Sequence, residues 1–259
     1  MKIAQISDLH LTVDGQPLYG RVDTETAWRH ALQRAISLGP DWLVLTGDLA
    51  EGGQESAYRR LRDSLAACPC PYALLPGNHD DRATLREVFP EQPWSSGDLC
   101  CQRREGEGGW LLLLDATVPG SEYGEFGEAQ ESWLSRQMAR GWPSLLFMHQ
   151  PPFAVGIDYM DSIRCRGEDA LRRLLAEYPQ QQVEAILCGH IHRSVFTTFA
   201  GHPALVAPSP AHQIAIDAGP LAWTPEPGGF LWHDWQPGAR LLTHVVPVLV
   251  APRYPYGEP

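Results

Sequence analysis

Short apolar runs bounded by turn residues recur along the first part of the chain. Runs of this kind, too short for a typical helix, are characteristic of strands that are buried on both faces. They predict strands at Ile3–Ser7, Trp42–Thr46, Tyr72–Leu75, Trp110–Leu114, Ser144–Met148 and Ala185–Cys188.

Between several of these runs, apolar residues return every three or four positions, which is the spacing of an amphipathic helix. One such pattern, Ala27–Ile36, follows a cap at Asp23 or Thr24, and another, Ala170–Tyr178, follows Gly167. Weaker helical patterns cover Gln54–Ala67, Asp81–Val88 and Glu128–Ala139. Strands that alternate with helices predict an α/β fold.

The pattern changes after about residue 193, where strand-like segments follow one another without a helical period. These segments are Val195–Ala200, Pro203–Ala207, Gln213–Ile216, Gly229–Trp235 and Arg240–Leu249, with a turn at Pro237-Gly238. We expect both parts to share one core, so that residues 1–250 form a single domain. The Pro-rich stretch 251–259 is expected to be a loose tail, with an arm packed on a partner subunit as the alternative.

Composition and charge exclude several kinds of protein. Of the 259 residues, 44% are apolar and 20% charged, and no apolar run approaches the ~18 residues of a membrane span, so no membrane partner is expected. The N-terminus enters the first strand at once and leaves no room for a signal peptide, which predicts a cytoplasmic location. The net charge of −11 disfavours a nucleic acid polymer as partner and favours a small substrate.

Side chains that can bind metal follow the predicted strands at their carboxyl ends, where open α/β sheets bind ligands. The segments are Asp8-Leu9-His10, Gly47-Asp48, Gly77-Asn78-His79-Asp80, His149-Gln150-Pro151-Pro152 and Gly189-His190-Ile191-His192. The glycines before Asp48, Asn78 and His190 suit tight turns in which the backbone comes close to a bound ion.

These segments supply carboxylate oxygens, one amide carbonyl and four imidazoles as ligands, and no thiolate. Such a set favours Mn, Fe, Zn or Co over calcium or a structural zinc ion. Two ions of this kind about 3.5–4 Å apart hold a phosphoryl group and lower the pKa of a bound water. The predicted cofactor is therefore a pair of divalent metal ions, and the predicted reaction is cleavage of a phosphate ester.

One of these motifs alone is more often a surface or hydrogen-bonded pair than a metal site. Their order is stronger evidence, because each of the five follows its own predicted strand. In this order they resemble the signature of the calcineurin-like metallophosphoesterase superfamily, and the similarity spans residues 3 to about 216. The resemblance implies two packed mixed β-sheets flanked by helices, with a dimetal site at the carboxyl ends of the strands.

The resemblance also implies a role for each residue. One ion would be bound by Asp8, His10, Asp48 and His192, and the other by Asp48, Asn78, His149 and His190. Asp48 would bridge the two ions, and Asn78 would also contact the substrate. His79 would assist phosphoryl transfer by hydrogen-bonding the phosphate or by protonating the leaving oxygen.

Within the superfamily, the chain is most similar to the class III cyclic nucleotide phosphodiesterases and the bacterial glycerophosphodiesterases. The similarity lies in Gly47–Ala50, in Tyr58, in Gly77–Arg82 and in His149–Pro152. Protein Ser/Thr phosphatases of this fold carry a glutamate where Asp80 stands. The expected substrate is a small phosphodiester, most simply a 3′,5′-cyclic nucleotide, hydrolysed by in-line attack of metal-activated hydroxide. A glycerophosphodiester is the alternative.

A nuclease, a phosphomonoesterase and a non-catalytic scaffold are further alternatives. The negative charge and the lack of residues for a capping domain disfavour a nuclease. The intact ligand positions disfavour a scaffold. A homodimer or larger homo-oligomer is implied by the resemblance alone.

Two segments bear on the leaving group. Phe153–Cys165 either forms a wall of the substrate pocket or is an ordinary surface loop. Ser209–Gln213 resembles a S/T-x-x-H-Q element of the glycerophosphodiesterase branch, so His212 either contacts the substrate or supports a ligand. The tryptophans are expected mostly in the core, although Trp232 and Trp235 also suit a subunit interface.

Overall fold

Two β-sheets packed face to face organise the computed structural model, which describes residues 1–179, 182–216 and 220–256. The strands are β1 (Lys2–Ile6), β2 (Trp42–Thr46), β3 (Tyr72–Leu75), β4 (Gln102–Gly106), β5 (Gly109–Leu113), β6 (Ser144–Phe147), β7 (Val183–Cys188), β8 (Val195–Phe199), β9 (His202–Val206), β10 (Gln213–Ile214), β11 (Trp223–Thr224), β12 (Gly229–Gln236) and β13 (Arg240–Pro247). The helices are α1 (Thr24–Ser37), α2 (Glu55–Leu65), α3 (Arg82–Val88), α4 (Glu128–Met138), α5 (Asp158–Ser162) and α6 (Glu168–Ala176).

Both sheets are mixed, and each contains a block of parallel strands. The first sheet has the order β13-β12-β1-β2-β3, in which β1, β2 and β3 run parallel. The second has the order β4-β5-β6-β7-β9-β8, in which β5, β6, β7 and β9 run parallel. Parallel neighbours end on the same edge of their sheet, so the loops that follow them are gathered there.

The inner faces of the two sheets form a central apolar layer. Val44 and Leu75 of the first sheet share this cluster with Leu113, Phe147 and Leu187 of the second sheet. These strands are buried along nearly their whole length, which explains why their sequences are continuous apolar runs instead of alternating ones.

Helices cover the outer faces. Trp28, Leu61 and Leu85, from α1, α2 and α3, pack outside the first sheet. Leu134 of α4 and Leu171 of α6 pack outside the second. The layers therefore run helix, sheet, sheet, helix, which confirms the expected α/β architecture of two packed mixed sheets flanked by helices.

Most predicted elements are confirmed, because each apolar run contains a strand. Helix α1 begins after Asp23, whose side chain accepts a hydrogen bond from the Thr26 amide. The bounds of two predicted strands need correction. The predicted strand Gln213–Ile216 is shorter, since β10 ends at Ile214, and the last strand ends at Pro247 instead of Leu249.

Trp235 has no solvent exposure and belongs to the layer between the sheets, so it packs in the core and the alternative of a subunit interface does not apply to it. Trp232 is partly buried and packs against the cluster outside the first sheet. Packing against apolar clusters of the same chain therefore accounts for both tryptophans.

Among the described residues, no helix has the length and apolar character needed to cross a bilayer. Residues 251–256 are exposed and form neither a helix nor a strand. The last part of the expected tail, residues 257–259, lies outside the described residues.

Candidate metal centre

The predicted ligands all lie in loops that follow parallel strands of the two sheets. Asp8 follows β1, Asp48 follows β2 and Asn78 follows β3 in the first sheet. His149 follows β6 and His190 follows β7 in the second. Because the sheets pack face to face, the two sets of loops meet at one edge of the sandwich.

The ligand atoms of these residues are close together and buried. Those of Asp8, His10, Asp48 and His192 lie within 4.8 Å of one another, as do those of Asp48, His149 and His190. Asp48 is common to both groups: its Oδ2 atom is 3.5 Å from His10 Nε2 and 3.3 Å from His149 Nε2. Asn78 Oδ1 completes the second group at 3.2 Å from His149 Nε2.

The backbone at this site is unusual, because five of the predicted ligands have a positive φ. The angles are 58° at Asp8, 47° at His10, 50° at Asp48, 72° at His190 and 57° at His192. Residues other than glycine rarely adopt this left-handed conformation, which costs of order 1–3 kcal/mol each and is concentrated at functional sites. The fold therefore holds these side chains in place against a local preference.

Two glycines permit the close approach of the loops, as the sequence predicts. Gly47 has a φ of 97°, and a Cβ atom there would collide with the His149 ring. A Cβ atom on Gly77 would collide with the Asp48 carboxylate. A larger residue at either position would push a ligand out of the cluster.

Hydrogen bonds to the far side of the imidazoles determine which nitrogen faces the cluster. His149 Nδ1 donates to the Thr46 carbonyl at 2.8 Å, and His10 Nδ1 donates to Glu51 Oε2 at 2.7 Å. The backbone of Ile163 hydrogen-bonds the His190 ring. In this way His10 and His149 are held with Nε2 turned inward, the arrangement typical of metal-binding histidines.

The charged groups of the cluster depend on one another. Burial disfavours the charged form of Asp48, but His149 and other nearby imidazoles outweigh this and hold the Asp48 pKa well below its ordinary value. Burial likewise acts to lower the pKa of His149, but the Asp48 carboxylate raises it to about 9. An anionic carboxylate is thus maintained at the centre of the site.

The other two histidines of the cluster have the opposite character. Burial, reinforced by neighbouring imidazoles, lowers the pKa of His190 to about 3 and places that of His192 well below its ordinary value. Both are therefore neutral, the form in which imidazole binds metal. His190 Nε2 is also buried without a hydrogen-bond partner, an orphaned lone pair that a metal ion would satisfy. The donor set fits a divalent metal site.

His79 lies at the edge of this cluster. Its backbone amide donates to Asp48 Oδ1 at 2.9 Å, and its ring is 4.7 Å from that of His10, measured between centroids. Its Nδ1 is 3.1 Å from Glu51 Oε2, and its side chain is 34% exposed. Burial acts to lower the His79 pKa, but the carboxylates of Asp48 and Glu51 raise it to about 10.

Glu51 is the functional candidate that the sequence analysis missed. A single oxygen of this carboxylate contacts both His10 and His79, so it orients a predicted ligand and the predicted acid together. Burial acts to raise the Glu51 pKa, but the two histidines outweigh this effect and lower the pKa to about 2. The only signal in the sequence is its position three residues after Asp48, in the same turn.

Asp80 is the residue that ties two of the loops together. Its carboxylate accepts hydrogen bonds from the backbone amides of Leu49 and Ala50 after β2, and of Gly77 after β3, at 2.8–3.1 Å. It also accepts one from the Tyr58 hydroxyl at 2.8 Å. Asp80 therefore contributes to the position of Asp48 and Asn78 relative to each other.

His212 also reaches the centre, with its ring centroid 4.4 Å from that of His192. Burial lowers its pKa to about 4, so it is neutral. In the segment Phe153–Cys165, α5 lies between the two ends, and Ile163 contacts His190 as described. Whether this segment forms a wall of the substrate pocket stays a prediction.

A two-sheet sandwich with buried carboxylates and imidazoles at its strand ends defines a metal-dependent hydrolase. The family model of the calcineurin-like phosphoesterases matches residues 1–194. The chain therefore belongs to the calcineurin-like phosphoesterase family, as its motifs predict.

Several curated relatives are similar along most of the chain. A probable glycerophosphodiester phosphodiesterase of Arcobacter nitrofigilis is 31% identical, covering 94% of this chain and 92% of that one. A cAMP/cGMP dual specificity phosphodiesterase of Mycobacterium tuberculosis is 33% identical, covering 95% and 76%. A 3′,5′-cyclic adenosine monophosphate phosphodiesterase of Escherichia coli K12 is 31% identical, covering 82% and 77%.

Solved structures show the same fold at low sequence identity. A dimetal phosphatase from Danio rerio has a TM-score of 0.71 at 15% identity and covers 96% of both chains. A purple acid phosphatase from yellow lupin has a TM-score of 0.69 at 13% identity, covering 96% of this chain and 51% of that one. These similarities confirm the fold alone.

The contacts of Asp80 lead to a testable expectation. In Asp80→Asn, an amide nitrogen replaces one of the accepting oxygens and faces buried N–H donors that it cannot satisfy. We expect the free energy of unfolding, measured with urea, to fall by about 1–3 kcal/mol. Asp98→Asn changes an exposed carboxylate and is the matched control. Equal stability of both variants would contradict the role given to Asp80.

Proposed function

We propose that Asp8, His10, Asp48, Asn78, His149, His190 and His192 bind two divalent metal ions, and that the protein is a phosphodiesterase for small substrates. The observation that carries this proposal is the position of Asp48, whose carboxylate is shared by two groups of ligand atoms. A shared carboxylate is what a dinuclear site needs in order to hold its ions close together. Because both sheets supply ligands, we also propose that residues 1–250 act as one catalytic domain.

When bound, two such ions lower the pKa of a water ligand and stabilise the charge that develops on the phosphoryl oxygens. The same ligand set accepts Mn, Fe, Zn or Co. The availability of each ion often decides which one is bound. The chain's own contribution is to orient the imidazoles through Thr46, Glu51 and Ile163 and to exclude bulk water from the buried carboxylates.

His79 is the group that we assign to the leaving oxygen. It is protonated in the arrangement described, its Nδ1 is engaged by Glu51, and its partly exposed ring borders the cluster. Its Nε2 is therefore the donor available to a substrate. From there it hydrogen-bonds the phosphate or delivers a proton as the ester bond breaks. Asn78, beside His149, and His212, beside His192, are the other proposed contacts of the substrate.

A 3′,5′-cyclic nucleotide is the substrate that we propose first. Relatives from Mycobacterium tuberculosis and Escherichia coli are named as cyclic nucleotide phosphodiesterases and are 33% and 31% identical to this chain over the aligned residues. A glycerophosphodiester is the second candidate, because the relative from Arcobacter nitrofigilis named for that activity is similar over 92% of its own length.

Steady-state kinetics of the Mn-loaded protein test this proposal. The substrates are cyclic AMP, glycerophosphoethanolamine, bis-p-nitrophenyl phosphate and the monoester p-nitrophenyl phosphate. We expect each diester to be preferred over the monoester in kcat/KM, with cyclic AMP above glycerophosphoethanolamine. Preference for the monoester would contradict the assignment as a phosphodiesterase, and preference for glycerophosphoethanolamine would select the second candidate.

Asp48→Asn removes the charge that both groups of ligands share. At a metal concentration 100 times the dissociation constant, each bound Mn²⁺ should raise the free energy of unfolding of the unmodified protein by about 2.7 kcal/mol. We expect Asp48→Asn to lose this gain and the turnover of bis-p-nitrophenyl phosphate together. The control is Asp63→Asn, on an exposed position of α2. Normal metal stabilisation and normal turnover in Asp48→Asn would refute the bridging role.

His79→Ala separates proton donation from metal binding. The variant should keep its stabilisation by Mn²⁺ but lose about 10²–10⁴-fold in kcat on glycerophosphoethanolamine, whose alkoxide leaving group needs a proton. The loss should be much smaller on bis-p-nitrophenyl phosphate, because p-nitrophenolate leaves readily without one. His30→Ala, on the exposed face of α1, is the control. Equal losses on both substrates would rule out a general-acid role for His79.

A further inference from the structure

An aromatic pair, the exposed Tyr19 and the half-buried Trp223, lies beside the metal centre. The two rings are stacked, with centroids 5.8 Å apart and an interplanar angle of 28°. Each also contacts the ring of His212, at 5.9 Å from Tyr19 and 5.7 Å from Trp223. Because His212 is 4.4 Å from His192, only one ring separates this pair from the cluster.

Tyr19 is presented to the site by a tight turn that is itself well anchored. Leu18 and Val22 are buried and exchange two backbone hydrogen bonds, of 2.8 and 2.9 Å, across the turn. Tyr19, at the tip, is 56% exposed and has a φ of 53°. A bulky residue in the left-handed region is uncommon, and such strain is characteristic of functional positions. Burial accounts for the apolar side chains at Leu18 and Val22, but it does not account for an aromatic side chain at the exposed Tyr19.

Trp223 is held in place by a different part of the chain. It lies in β11, where it pairs with Ile214 of β10, two residues after His212. The Gln213 side chain donates to the Ser209 carbonyl at 2.8 Å and fixes the start of this ribbon. Two independent segments, one from each end of the sequence, therefore converge on the aromatic pair.

A cavity of about 810 Å³ adjoins Trp223. Most of the residues that line it are apolar, including Val22, Ala211 and Leu221, and the charged residues Arg21 and Asp23 also line it. A mainly apolar cavity with a few polar groups is typical of sites that bind the organic part of a small ligand. Trp223 therefore lines this cavity and also contacts His212 beside the metal centre.

The cavity on the other side of the centre has a different character. It measures about 690 Å³ and is lined by Asn78, Asp81, Arg82, Arg86 and Asp98. The Arg82 guanidinium is already engaged by the Asp115 carboxylate and the Thr117 carbonyl. Among the described residues that line this cavity there is no aromatic side chain, in contrast to Trp223 in the other cavity.

We propose that Tyr19 and Trp223 form a stacking subsite for a planar heteroaromatic base attached to the phosphodiester. This inference rests on the proposed function and makes it more specific, because it distinguishes a cyclic nucleotide from a glycerophosphodiester. Aromatic side chains stack with any nucleobase, since every base has a π-face. A single ribose joins phosphate and base in a cyclic nucleotide, so a base attached to a phosphate at the cluster lies close enough to reach rings that contact His212.

The test compares variants that remove a ring with variants that keep one. Trp223→Leu and Tyr19→Leu abolish stacking, whereas Trp223→Phe and Tyr19→Phe retain an aromatic face. Trp142→Leu is the remote control, because Trp142 is also exposed and also stacks on another ring, that of Trp110. For each variant, kcat and KM are measured on cyclic AMP and on glycerophosphoethanolamine with the Mn-loaded protein.

We expect the two leucine variants to raise KM for cyclic AMP about ten-fold, the size of effect typical of one lost base-stacking contact. Their KM for glycerophosphoethanolamine should stay within about two-fold, and the phenylalanine variants should behave like the unmodified protein. Equal changes on both substrates, or none on cyclic AMP, would overturn the subsite.

The affinities of the protein for adenosine 5′-monophosphate and for glycerol 3-phosphate, measured by calorimetry, test the subsite without relying on turnover. The unmodified protein should bind the nucleotide more tightly, and the leucine variants should reduce this preference about ten-fold. A protein that turns over no phosphodiester yet shows this preference would refute the proposed function and support the subsite. Equal affinities of the unmodified protein for both ligands would refute the subsite.

Discussion

The Asp48 carboxylate is the point on which the geometry of the centre depends. One oxygen accepts the His79 amide, and the other lies within 3.5 Å of imidazole nitrogens from His10 and His149. Because this carboxylate is buried, its charge is tolerated only while those imidazoles surround it. The first sheet supplies Asp48 and His10, and the second supplies His149. The centre is therefore complete only when the two sheets are packed together.

This constraint accounts for the unusual backbone around the centre. Loops from parallel strands approach one another closely enough that Gly47 and Gly77 admit no side chain. Asp8, whose φ is 58°, accepts the His190 amide at 3.0 Å and so links the first strand of one sheet to the second sheet. Conformations that are locally unfavourable persist because extensive apolar layers on both sides of each sheet hold the strand ends in place.

The sequence was sufficient to predict most of the strands and the grouping of the motif side chains at their carboxyl ends, because both follow from short-range patterns. Apolar runs predict buried strands, and the motif residues come directly after them. It did not reveal β4, a polar edge strand, or the function of Glu51, whose two histidine partners are distant from each other in sequence. Nor did it reveal the pairing of Tyr19 with Trp223, since the two residues meet only through the tertiary fold.

The anomalous diffraction of crystals grown with Mn²⁺ tests the dinuclear centre most directly. We expect two manganese peaks about 3.5–4 Å apart, with a carboxylate oxygen of Asp48 bonded to both. One peak should also contact Asp8, His10 and His192, and the other Asn78, His149 and His190. A single peak, or two peaks that do not share Asp48, would contradict the dinuclear centre.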